Sequence, residues 1–151
     1  AVRLGARLES TPKQSARFLE LRAERQQRLE HQQVTAVINE AVAHRLVGGP
    51  AVMRAQLDRL IEEIERGRVN LRLIPFAAGA HPAMKGSFIM LRFPDTEEEM
   101  DVVYVETERG GMYLERPADL IRYQDVFAAL MDLSLTADET ASFLSRLVGE
   151  L

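Results

Sequence analysis

A chain of 151 residues with a formal net charge of −4 suits one domain and can bury a core without covalent staples. It contains no cysteine, which excludes disulfides and thiolate metal sites, and no apolar run approaches the roughly 20 residues needed to span a bilayer. Residues 1–31 carry seven Lys/Arg against four Asp/Glu, a net +3 that leaves −7 for the rest, and that acidic body is a poor match for a phosphate backbone.

Residues 1–10 show no clear period. Thr11-Pro12 predicts a helix start, with Thr11 as N-cap and Pro12 at the first helical position, and the helix is expected to reach about His31. Its apolar stripe is narrow. It reads as a solvated helix with charge pairs such as Arg17–Glu20, or as a connector or dimer contact. Gln33 to Ile38 reads as a strand, followed by a short helical piece through Ala41–Leu46 that Gly48-Gly49-Pro50 breaks. Ala51 to Arg66 has the clearest helical period, with Val52, Met53, Leu57, Leu60, Ile61 and Ile64 on one face and Gly67 placed as a C-terminal cap.

Val69 to Ile74 alternates as a half-buried strand that Pro75 ends. Gly86–Phe93 predicts the next strand, Pro94 to Met100 an acidic turn, and Asp101–Thr107 a further strand. Gly110-Gly111 is expected to turn the chain into Met112–Glu115, forming a hairpin. A helix follows from Pro117 to about Leu133. Thr136 and Glu139 form a capping-box pattern before a last helix that buries Phe143, Leu144, Leu147 and Val148. Strands in a block after one early strand predict an α+β fold: an antiparallel or mixed sheet of about five strands packed with helices, ending in helix. The organisation expected is a basic connector helix over residues 1–31 and a single globular domain over 32–151.

The chemistry carriers are few. There are three histidines, and no metal spacing joins them, so neither a metal nor another cofactor is expected. His31 and His44 read as surface or boundary residues. His81 sits in a Gly/Pro loop, where it could bond a backbone carbonyl, hold a ligand or serve as an acid–base group. No serine lies in a nucleophile elbow. Glu40 and Glu106 stand near strand ends, where two carboxylates can bind a cation or share acid–base work, or simply begin a helix and close a strand. Gly48-Gly49-Pro50 could offer backbone N–H groups to an anion but lacks the spacing and lysine of a phosphate loop. Tyr104 and Tyr113 lie on strands, suited to core or interface packing.

The runs EAVAHRLVGGPAVMRAQLDRLIE, VNLRLIPFAAGAHPAMKGSFIMLRFP and DVVYVE together carry a family likeness. Its matching positions are Glu40, Gly48, Gly49, Gln56, Leu57, Pro75, Phe76, Gly79, His81, Phe88, Tyr104 and Glu106, with a weaker tail at Leu114, Pro117 and Tyr123. From about Arg22 to Leu147 the chain resembles the C-terminal effector domain, of unknown function, of actinobacterial XRE-type helix-turn-helix regulators, the antitoxin-like, WhiJ-like group. The resemblance implies a regulatory domain that pairs as a homodimer, works with a small companion protein and reaches DNA only through an N-terminal helix-turn-helix domain. Neither that domain nor a Pro-Gly-Leu-Leu-Gln-like segment is recognisable in this chain. The chain also begins with Ala1 rather than Met, so an excised or processed part of a longer regulator is expected.

The leading expectation is a non-enzymatic, cytoplasmic, non-membrane domain that senses an effector or binds a protein, with no catalytic residue assigned. Its contact site is expected around the loop Ala77–Gly86, with Gly79, His81 and Lys85, together with Tyr104, Glu106 and Glu40. Two other expectations stand beside it. One is a small hydrolase or lyase using His81 with Glu40 or Glu106, and the other is an oligomeric scaffold built on the first or last helices.

Overall fold

The computed structural model describes residues 16–17, 20–21, 23–24, 32–93, 101–107 and 110–151. Residues 1–10, the Thr11-Pro12 helix start, most of the first expected helix and the acidic turn over residues 94–100 lie outside the described residues. The six described residues before 32 are helical, and Arg17 meets Glu20 at 3.4 Å as the spacing predicts. Both side chains are exposed, so the pair adds little.

From residue 32 the order is β1 (Val34–Asn39), α1 (Glu40–His44), α2 (Pro50–Glu65), β2 (Val69–Ile74), β3 (Phe88–Leu91), β4 (Val102–Thr107), β5 (Gly110–Leu114), α3 (Pro117–Leu133) and α4 (Ala137–Glu150). Two 3-10 turns, Phe76–Ala78 and Pro82–Lys85, precede β3. The fold is α+β with a helical C-terminus, as expected. The described strands divide between a parallel pair, β1–β2, and an antiparallel sheet ordered β3-β4-β5. Contacts split the chain into two compact units: Ala1–Phe76 with Leu135–Leu151, and Ala77–Ser134.

In the first unit, β1 and β2 run in register from Val34↔Val69 to Asn39↔Ile74. Parallel neighbours need a crossover, and α1 and α2 supply it. Pro50 occupies the first position of α2, where its missing N–H costs nothing. Gly67, at φ 66°, closes the helix. Arg68 N–H donates to Glu63 C=O at 3.1 Å and Gly67 N–H to Ile64 C=O at 2.9 Å, the two hydrogen bonds of a Schellman end. Met53, Leu57 and Ile64 are buried on the predicted face of α2, while Val52 remains exposed. They join Ala43, Leu71, Leu73, Leu144 and Leu147 in one apolar cluster.

The side of β2 away from β1 does not end in open backbone. Leu73 N–H donates to Thr140 Oγ1 at 3.1 Å, and Leu73 C=O accepts from Leu135 N–H at 2.9 Å. Arg72 Nε donates to Leu135 C=O at 3.1 Å. The segment leading into α4, and α4 itself, thereby cover an edge that would otherwise invite pairing.

The capping box of α4 forms as its sequence predicts. Thr136 Oγ1 accepts from Glu139 N–H at 3.3 Å, and Glu139 Oε2 accepts from Thr136 N–H at 2.8 Å. The Thr136 backbone N–H, then its hydroxyl, hold the Glu139 carboxyl below the usual carboxylate value, with help from the Arg72 charge. A depressed folded-state pKa means stability that is present above the unfolded value and lost as pH falls through the folded one. Glu139→Gln should therefore lose less stability than the native chain between about pH 5 and pH 3. Urea midpoints measured across that range check this, and parallel acid limbs would contradict it.

In the second unit, β3 and β4 pair antiparallel from Phe88↔Val105 to Leu91↔Val102, and β4 and β5 from Val103↔Leu114 to Thr107↔Gly110. The hairpin is as predicted, but the glycines do not form its turn. Gly110 and Gly111 are strand residues opposite Thr107 and Glu106, so the strand begins earlier than expected. Alternation gives the sheet two faces. One carries Val103, fully buried, and Phe88, whose ring lies 4.9 Å from that of Tyr123 on α3. The other carries Ile89, Leu91, Val102, Tyr104, Glu106, Gly111 and Tyr113.

Candidate functional site

Glu40 opens α1 directly after β1, where Asn39 caps the helix by accepting from Ala41 N–H at 2.9 Å. Its side chain is 14% exposed. Oε2 accepts the Phe76 N–H at 2.6 Å, and Oε1 lies 3.2 Å from His44 Nε2. Glu40 thus links the residue that follows β1 to a residue just beyond β2. The His44 ring stacks on Phe76 at 5.8 Å and meets Phe143 edge-on at 6.2 Å, and Arg146 lies 5.7 Å over the Phe143 ring. His44 is exposed, as expected of a surface residue, and also joins a carboxylate–aromatic cluster. Its i,i+4 spacing from Glu40 was the available signal.

Gly48 and Gly49, at φ 87° and 90°, turn the chain into α2, and Gly49 C=O accepts from Met53 N–H at 3.0 Å. Their positive φ explains why glycine stands at both positions.

The remaining expected residues lie in the second unit. Gly79 has φ 69°, and His81, half-buried, stands immediately before the Pro82–Lys85 turn. His81 C=O accepts from Met84 N–H at 3.2 Å. The turn packs on α3 and leaves Lys85 exposed. Tyr104 and Glu106 lie elsewhere: two positions apart on β4, they share the sheet face turned away from α3.

That face has a definite geometry. Ile89, Tyr104 and Tyr113 form one row across the three strands. The Tyr104 and Tyr113 rings are 5.1 Å apart with a 48° tilt. Glu106 is paired with Gly111, over which the Tyr104 ring lies, and a Cβ at Gly111 would fall inside that ring. Ile89 and Tyr113 are 56% and 65% exposed. Gly111→Ala should displace the Tyr104 ring, at a cost below about 1 kcal/mol because the far end of that ring can swing aside on an exposed face. A urea midpoint and the Tyr104 ring resonances would show this, and an unmoved ring would refute it.

Among the described residues no group of three or more His, Asp or Glu is placed to hold a metal ion, and no helix is long and apolar enough to cross a membrane. The family model described as Domain of unknown function (DUF5753) matches residues 2–146. The chain belongs to this family. No curated protein and no solved structure matches it. The DUF5753 match spans both units, so the Glu40–His44 cluster and the Tyr104–Tyr113 face both fall within the family domain.

Proposed function

We propose that this DUF5753 chain is the regulatory, protein-interacting part of a cytoplasmic DNA-binding transcriptional regulator of the XRE, WhiJ-like type. It is not an enzyme. It pairs with a second copy and a small companion protein, and meets DNA only through a helix-turn-helix domain separate from residues 1–151. The observation that carries the protein-interacting part of this reading is the row Ile89–Tyr104–Tyr113, exposed at Ile89 and Tyr113. A contiguous apolar and aromatic sheet face in water is a contact surface in search of a partner.

Two further features support it. The −7 charge beyond residue 31 disfavours direct contact with nucleic acid. Both Glu40 oxygens are engaged, one by a backbone N–H and one by His44, which suits anchoring better than acid–base work.

The test is a fusion. The chain is placed behind a helix-turn-helix domain that represses a reporter only as a dimer. Repression at least tenfold above that of the unfused domain is expected. A fusion that is expressed and folded by circular dichroism but leaves the reporter unrepressed would overturn the reading.

A further inference from the structure

We infer that the Tyr104–Tyr113 face binds a positively charged, extended segment of a partner protein, seating an arginine or lysine side chain on the tyrosine pair with Glu106 as its counter-ion. This deepens the proposed function by naming the chemistry of the partner.

Three observations lead to a cationic occupant. The first is the ring pair itself. The two tyrosines pack with centroids 5.1 Å apart and planes tilted by 48°, and Tyr113, 65% exposed, leaves aromatic surface open to a guanidinium or ammonium group. The second is charge. Glu106 is the one charged side chain among the described strand residues of this sheet, and it stands on the same face, two residues beyond Tyr104. The surrounding body is acidic as well. A basic segment is therefore both steered to this face and paired on arrival. The third is the glycine. Gly111 faces Glu106 across the hairpin and leaves room for the Tyr104 ring to lean toward the carboxylate's position.

Area decides between occupants. Ile89, Leu91 and Tyr113 are 56%, 39% and 65% exposed, and with the part-exposed Tyr104 they offer on the order of 400 Å². A standard interface needs about 800 Å² from each partner, so this face alone is too small for stable self-association. It fits a few side chains of an extended segment.

The experiment uses the full chain, labelled for NMR, titrated with a Gly/Ser peptide carrying two arginines and with the same peptide carrying two glutamates. The arginine peptide should shift Tyr104, Glu106 and Tyr113 saturably, and the glutamate peptide should not at equal concentration. Tyr113→Leu, which keeps apolar area but loses the π-face, should weaken binding at least tenfold. Tyr113→Phe should stay within twofold, and Glu106→Gln should weaken binding about fivefold. Tyr113 is exposed, so these variants leave the fold readable. Equal shifts from both peptides, shifts away from this face, no binding of the arginine peptide, or an unaffected Tyr113→Leu would overturn the inference. If the fusion still represses while the arginine peptide does not bind, the cationic occupant is refuted and the regulatory reading stands.

Discussion

Leu144→Ala is expected to lower stability by about 2–5 kcal/mol, the range for a buried leucine truncated in a packed core. Leu144 is fully buried on α4, in the cluster that also holds Leu57, Leu71 and Leu73. The helix returns to this core after the whole second unit has intervened, so the missing side chain leaves a cavity lined by residues distant in sequence. Urea unfolding followed by circular dichroism measures the loss; a shifted midpoint with an unchanged slope is expected. A loss below about 1 kcal/mol would mean that the core collapses around the gap. A second signal is available. All three tyrosines, Tyr104, Tyr113 and Tyr123, lie in the second unit, and the chain has no tryptophan. Tyrosine fluorescence therefore reports that unit alone. Its midpoint in Leu144→Ala tells whether damage to one core is felt in the other.

Thr140→Val should cost about 1–3 kcal/mol, because it keeps the shape and removes the acceptor for a buried N–H. Thr140 is 0% exposed, and its hydroxyl is the partner of Leu73 N–H. Thr140→Ser keeps the oxygen and should lose clearly less. Amide hydrogen exchange at Leu73 separates the two variants: faster in Thr140→Val, near native in Thr140→Ser. Native-like protection in Thr140→Val would show that the N–H has found another partner and that the bond carries no stability.

Local pattern made much of this legible. The apolar spacing of α2, its Gly67 end and the Thr136/Glu139 box are each written within a few residues, and each forms as read. What escaped was the information that lies between distant residues. Thr140 is a polar residue on the apolar face of α4, and only its pairing with Leu73 explains its burial. Gly110-Gly111 carries the composition of a turn, yet Gly111 serves a cross-strand ring that no local pattern reveals. The five strands were visible as segments, but their division into a parallel pair and an antiparallel sheet depends on which partner each strand finds. The proposed grouping of contact residues was legible in part. Tyr104 and Glu106 share a face because period-two alternation puts them there. Lys85 lies on the Pro82–Lys85 turn packed against α3, Gly79 and His81 lie just before that turn, and Glu40 belongs to the other unit.

The sequence separation between Leu73 and Thr140 has a consequence for how the chain is made. The two residues are 67 positions apart, with the whole second unit encoded between them. At typical synthesis rates of about 5–20 residues per second, β2 waits roughly 3–13 s for the helix that covers its edge. The second unit, contiguous in sequence, has every residue it needs before then. During that interval the emerging chain offers an unpaired β-edge and an open apolar surface, both prone to wrong association. A chain stopped after β2 has emerged but before α4 is made keeps that edge open to wrong partners.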